Sequence, residues 1–315
     1  MDDGARHRES RRDEGAVHTA RHRGGGVRDT TCRRRNQRPA RSEENRMRSS
    51  RSLIVGGIAT SLVSGLALAS RVWTPADPLA VDSKARFLRP SLQHLLGTDQ
   101  LGRDVFSNVL QGGQTTLLTG LLAMTIAMVV GGGAGVASAL SRRWVDDFIM
   151  AVATVFVAFP ALLLALLIVA AHGASSATAV LTVGVAAGAS VAVVTRREAR
   201  DVMREPYVVA ARYSGSTTWS LVRRHVLRNL APSLIVQATG AASVAIVAES
   251  TLSYLGLGAT PPTPSWGRML ASTQQYLLVH PLLTLWPALF ISVSVLGINL
   301  LGDGLRERLD SVRLL

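Results

Sequence analysis

Residues 115–140 read TTLLTGLLAMTIAMVVGGGAGVASAL, 26 residues without a single charged side chain. At about 1.5 Å of rise per residue, a helix of that length is longer than the ~30 Å hydrocarbon core of a bilayer. A helix of a soluble domain would show a charged or amide stripe at its own period, and this stretch shows none. It reads as a membrane span. Five more runs of the same kind lie around it, at about 52–70, 148–171, 177–195, 233–255 and 283–301, and none of the six contains Lys or Arg. The predicted fold class is therefore an all-α membrane protein with six transmembrane helices.

The composition agrees with charges placed outside apolar runs. The 315 residues are 48% hydrophobic and 17% charged, with a formal net charge of +13. Outside the N-terminal tract the Arg residues cluster in the gaps between runs, which favours anionic headgroups over nucleic acid as the partner. Arg142 and Arg143 lie between runs two and three, and eight Arg lie in 196–232 between runs four and five. The segment after run six carries Arg306, Arg308 and Arg313, whereas 172–176 has neither Arg nor Lys and 256–282 has only Arg268. The positive-inside rule then places both termini in the cytoplasm. The long first outside loop, 71–114, mixes five basic with four acidic residues.

Residues 1–46 hold thirteen Arg against eight Asp or Glu and few large apolar residues. They are expected to be a disordered basic arm, or an extension upstream of a start at Met47, with 47–315 as the membrane domain. Run one, with its basic flank and Ala67-Leu68-Ala69, has two readings: a retained anchor or a signal peptide. The lone cysteine, Cys32, excludes a disulfide framework and a Cys-based metal site.

Catalytic chemistry is missing. Lys84 is the sole lysine and sits between Ser83 and Ala85, so no phosphate-binding P-loop exists. His94, His172, His225 and His280 are scattered singly, without metal-ligand spacing. The carboxylate relay of a secondary transporter is also absent; Glu249 and Asn299 are the conspicuous polar residues within runs, suited to a pathway contact or to helix packing. Gly131 with Gly135, and Gly184 with Gly188, are read as helix-packing positions.

The loop 196–232 carries the working contact. Glu205-Pro206 starts a helix, with Pro where its missing N–H is harmless, and Gly215 stops it. A second segment, 219–230, places Leu221, Val222 and Val226 beside Arg223, Arg224 and Arg228, and is expected to end before Pro232. Such a pair of short helices suits either a partner's groove or the headgroup layer.

The segment Glu205-Pro-Tyr207-Val-Val209-Ala210-Ala211-Arg-Tyr-Ser-Gly215-Ser, followed by Leu227, resembles the cytoplasmic loop of ATP-binding-cassette (ABC) importer permeases. That family's pattern is Glu-Ala-Ala, three residues, Gly, then Ile-x-Leu-Pro; Val209 stands here for Glu, His225 for Ile and Arg228 for Pro. Gly97-Thr98-Asp99-Gln-Leu-Gly102-Arg103-Asp104, then 248–258, then 261–267, then 299–306 resemble the second permease subunit of the dipeptide/oligopeptide/nickel branch. The resemblance spans roughly residues 50–310. It implies a type I ABC-importer permease fold in a bacterial inner membrane. It also implies a second permease, two cytoplasmic ATPase subunits holding ATP and Mg, and an extracytoplasmic substrate-binding protein as partners. No cofactor is then expected on this chain. The implied cargo is a di- or oligopeptide, with nickel or another small solute as the alternative, and a non-transporting membrane scaffold as the reading from a different class.

Overall fold

The computed structural model describes residues 51–313. The expected basic arm, 1–46, lies outside the described residues. Among those described the protein is all-helical, with one isolated bridge between Thr98 and Asp104. Five helices are long and apolar enough to cross a membrane: α1 (Arg51–Ala69), α2 (Val105–Leu140), α5 (Ser176–Met203), α7 (Thr218–Tyr254) and α9 (Pro281–Arg313). Between them lie α3 (Arg143–Ala158), α4 (Ala161–His172), α6 (Pro206–Tyr213) and α8 (Trp266–Thr273).

The apolar run 148–171 is not one straight helix. It breaks at Phe159-Pro160, and the two arms, α3 and α4, meet at a bend of 97°. Proline removes a helical donor and pushes the preceding residue out of the α region, so Phe159 lies in the extended region at φ −84°, ψ 129°. α2, α5, α7 and α9 outrun their apolar stretches. α2 begins ten residues before position 115, at Val105, because Asp104 caps it, accepting a hydrogen bond from the Ser107 N–H at 2.8 Å.

Helix α7 corrects the reading of 219–230 as a separate segment ending before Pro232. Thr218 to Tyr254 is one helix with Pro232 inside it and a π-helical turn at Val222–Val226. Pro232 supplies no N–H to the helix ladder, yet the helix continues through it to Tyr254.

α2 and α5 run parallel and touch through glycine. A Cβ on Gly131 would lie 2.1 Å from the Gly188 carbonyl oxygen, and one on Gly135 would lie 2.7 Å from that of Ala192. Gly184 meets Ile126 and Ala123 in the same seam. Lipid supplies no hydrophobic drive between spans, so this backbone-to-backbone approach is the source of contact energy. A π-helical turn at Ala127–Gly132 adjusts the register of α2 where the seam is tightest.

Candidate functional site

α6 protrudes between α5 and α7 and is built by its ends. Glu205 is the N-cap and Pro206 the first helical residue. At the other end the Ser216 N–H donates to the Ala211 carbonyl and the Gly215 N–H to that of Arg212, with Gly215 at φ +85°. This pair of bonds is a Schellman motif, whose left-handed position glycine occupies without Cβ strain.

One residue anchors this short helix: Val208 is 1% exposed. Tyr207 adds a second tie, its hydroxyl oxygen accepting from Asn229 Nδ2 at 2.7 Å while its ring tilts against His225, centroids 5.7 Å apart. Glu205, Val209, Ala210, Arg212 and Tyr213 are exposed and Ala211 is half-buried. Glu205 makes no capping bond with its side chain. Leu227, which the sequence pattern grouped with them, instead lines an apolar groove with Trp219 and Leu234.

The base under α6 is rigid. Ala199, Val226 and Leu230 are buried together and packed by Val136, Val202 and Met203. Asp146, 2% exposed, holds the same end of the bundle. Its Oδ1 accepts from Arg196 Nε and from Ser138 Oγ, both at 2.5 Å, and its Oδ2 from Arg196 Nη2 at 2.6 Å and Arg200 Nη2 at 2.7 Å. This cluster joins α2, α3 and α5. Sequence reasoning missed it, because Asp146 falls in a stretch that reads as a short loop, whereas it lies in the first turn of α3, and both arginines counted only as loop charge. The i, i+4 spacing of Arg196 and Arg200 on a helix was the available signal.

The motif at 97–104 folds the first long loop onto α2. Gly97 and Gly102 adopt φ +80° and +76°, and a Cβ on Gly102 would overlap the Asp82 carbonyl oxygen. Asp99 Oδ1 accepts from the Leu101 and Arg103 N–H groups, Thr98 Oγ1 from Leu88 N–H, and Asp104 Oδ1 lies 3.0 Å from His94 Nδ1. Arg103 Nε is buried without a hydrogen-bond partner.

Glu249, 2% exposed, lies inside the packing of α7 against α2 and α8, accepting from Ser253 Oγ at 2.7 Å. Trp266 closes the same region, its Nε1–H donating to the Val109 carbonyl at 2.8 Å. Asn299 lines a separate apolar groove beside Val247, Leu252 and Val295. Thus the structure does not bring Glu249 and Asn299 into one polar site. Among the described residues no group of three His, Cys, Asp or Glu could hold a metal ion.

Comparison with known proteins agrees with this architecture. A "putative peptide transport system permease protein" of Brucella suis biovar 1 is 38% identical over 255 residues, covering 81% of this chain and 86% of the relative. A "probable D,D-dipeptide transport system permease protein" of Escherichia coli K12 is 35% identical, covering 80% and 86%. A "dipeptide transport system permease protein" of Alkalihalophilus pseudofirmus is 32% identical, covering 86% and 90%. In fold, the chain is similar to an inward-facing methionine ABC transporter, with TM-score 0.55 and 17% identity over 64% of this chain and 95% of that one. The sequence pattern described as "binding-protein-dependent transport system inner membrane component" matches residues 127–312, and with these relatives it shows that the chain belongs to that family of ABC-transport permeases.

Proposed function

We propose that this chain is the permease subunit of an ATP-driven importer of di- or oligopeptides, with α6 as the element through which ATP hydrolysis on partner subunits moves the spans. The observation that carries this reading is α6 itself. It starts at Pro206, closes on the Schellman turn at Gly215, is fixed by Val208 and Tyr207, and is otherwise largely solvent-facing. A helix so held transmits force as a rigid lever to α5 and α7, which flank it in the chain.

The remaining parts follow from the same reading. The bent pair α3 and α4 counts as one span, giving six, and both termini are cytoplasmic with the Arg-rich 196–232 segment. Residues 47–315 form the permease domain. ATP and Mg belong to two ATPase subunits, since the sole lysine is outside any P-loop. A second permease completes the pathway, and an extracytoplasmic binding protein delivers cargo. Peptide is the cargo class because the relatives described above are named for peptides and dipeptides.

The test is uptake in cells or proteoliposomes containing the assembled transporter. Deleting 207–215 is expected to abolish ATP-dependent uptake of labelled dipeptide while the spans still insert. Full uptake in that variant would remove α6 from coupling. Uptake of nickel but of no peptide would move the chain to the other branch of cargo.

A further inference from the structure

At the end of α7 remote from α6, a cavity of about 240 Å³ lies between the start of α2, the 97–104 loop and α8. Thr218 to Ser250 spans 32 helical steps, so the two regions are roughly 50 Å apart at ~1.5 Å per residue. Arg103 and Arg268 both line this cavity. Arg103 Nε is buried with no hydrogen-bond partner, and Gln100 Oε1 beside it is also unpartnered. Arg268 Nη1 reaches only the Thr263 carbonyl, at 3.3 Å. Asp99, the acid in the lining, has turned Oδ1 to two backbone N–H groups. Among the described residues neither arginine is in an ion pair. Burial, and then the charge of Arg103, push the pKa of Arg268 down.

Two guanidinium groups turned into one partly buried space without a counter-ion are costly, and a carboxylate accepting bidentate bonds is the group that relieves them. The volume sets the size of that group. It falls below the ~300–1,000 Å³ of pockets that enclose whole small ligands, so it takes one side chain or one chain terminus. We propose that this cavity is a carboxylate-binding socket for an acidic side chain of the binding protein on which this permease family depends. The inference rests on reading the chain as a binding-protein-dependent importer. It adds the place and the chemistry of one anchoring contact.

The experiment uses the assembled transporter in lipid nanodiscs and its binding protein, with association measured by fluorescence anisotropy. Arg103→Gln and Arg268→Gln are each expected to weaken association about tenfold, less than the loss of one partner of a fully buried charge pair because this cavity is only partly buried. Arg268→Lys is expected to recover part of it, and size-exclusion chromatography of each variant complex checks assembly. In a double-mutant cycle against single Asp→Asn and Glu→Gln changes on the binding protein, one carboxylate is expected to have no further effect once Arg103 or Arg268 is gone. Unchanged association in both Gln variants overturns the proposal. So does the pattern in which association is unchanged but a preference for free-carboxyl over C-terminally amidated peptides disappears, which assigns the socket to substrate. Failure of the importer reading is separable: it shows in the wild type as absence of ATP-driven uptake, whereas failure of the socket leaves the wild type active and the variants indistinguishable from it.

Discussion

At the residue scale, Asp146 concentrates four donor atoms from Ser138, Arg196 and Arg200 on one buried carboxylate. Asp146→Asn removes the charge but keeps the shape, leaving two guanidinium groups without their counter-ion. Breaking a fully buried pair costs ~3–5 kcal/mol, and the partial exposure of both arginines reduces this to about 2 kcal/mol. A fall in Tm of about 4–8 °C in detergent is expected; a Tm within one degree of wild type would show the cluster to be dispensable. Gly215 makes a different argument. Nothing lies within 4 Å of its missing Cβ, so a substitution there acts through φ +85° alone. At ~1–2 kcal/mol for an L-residue in the left-handed region, Gly215→Val is expected to lower ATP-driven uptake about 5–10-fold. Gly215→Asn is expected to lower it least, and equal activity of the two would exclude the backbone explanation.

At the scale of elements, the α2–α5 seam and the exposed face of α6 obey opposite rules. Gly131 and Gly133 differ by two positions, yet a Cβ on Gly131 collides with backbone while one on Gly133 meets nothing. Gly131→Ala is expected to destabilise the protein by about 3 kcal/mol and cut the yield of folded chain, since overpacking forces backbone to move. Gly133→Ala is expected to be neutral or slightly stabilising, by the helix propensity of alanine; thermal unfolding of the two purified variants decides. On α6, Val209 stands where related permeases carry Glu, and it is 37% exposed. Val209→Glu therefore buries no charge and is expected to fold normally and bind the ATPase subunits about 2–5-fold more tightly, the scale of one exposed charge pair. Weaker assembly would mean that the partner groove in this system is apolar.

At the scale of the whole molecule, the bundle separates α6 from a remote loop-and-helix cap. Tyr213, 89% exposed, and Leu278, 97% exposed, mark the two regions. Single cysteines at these positions, in a chain with Cys32 replaced, are expected to react with an impermeant thiol reagent from opposite sides of the membrane. Labelling from the same side would refute the proposed topology. α7 joins the two regions: its Val226 and Leu230 pack with Ala199, Val202 and Met203 just before α6, and its Ser250 backbone meets Gly267 of α8. A single continuous helix between lever and cap is the physical link that the proposed transport cycle requires.

The sequence by itself determined that this is a membrane protein, that its Lys and Arg lie outside its apolar runs, and where α6 begins and ends. Those features are local: uninterrupted apolar length, Arg in short gaps, proline at a helix start and glycine at its Schellman position. Tertiary structure decided what local pattern leaves undetermined. Pro160 breaks its apolar run while Pro232 is carried inside a helix, because the outcome depends on the backbone and neighbours around each ring. Asp146 became a three-way tie, and Arg103 met Arg268 across one cavity, through positions 50 to 165 residues apart in the chain. No spacing rule encodes such encounters, since they follow from how helices pack and not from the order of residues.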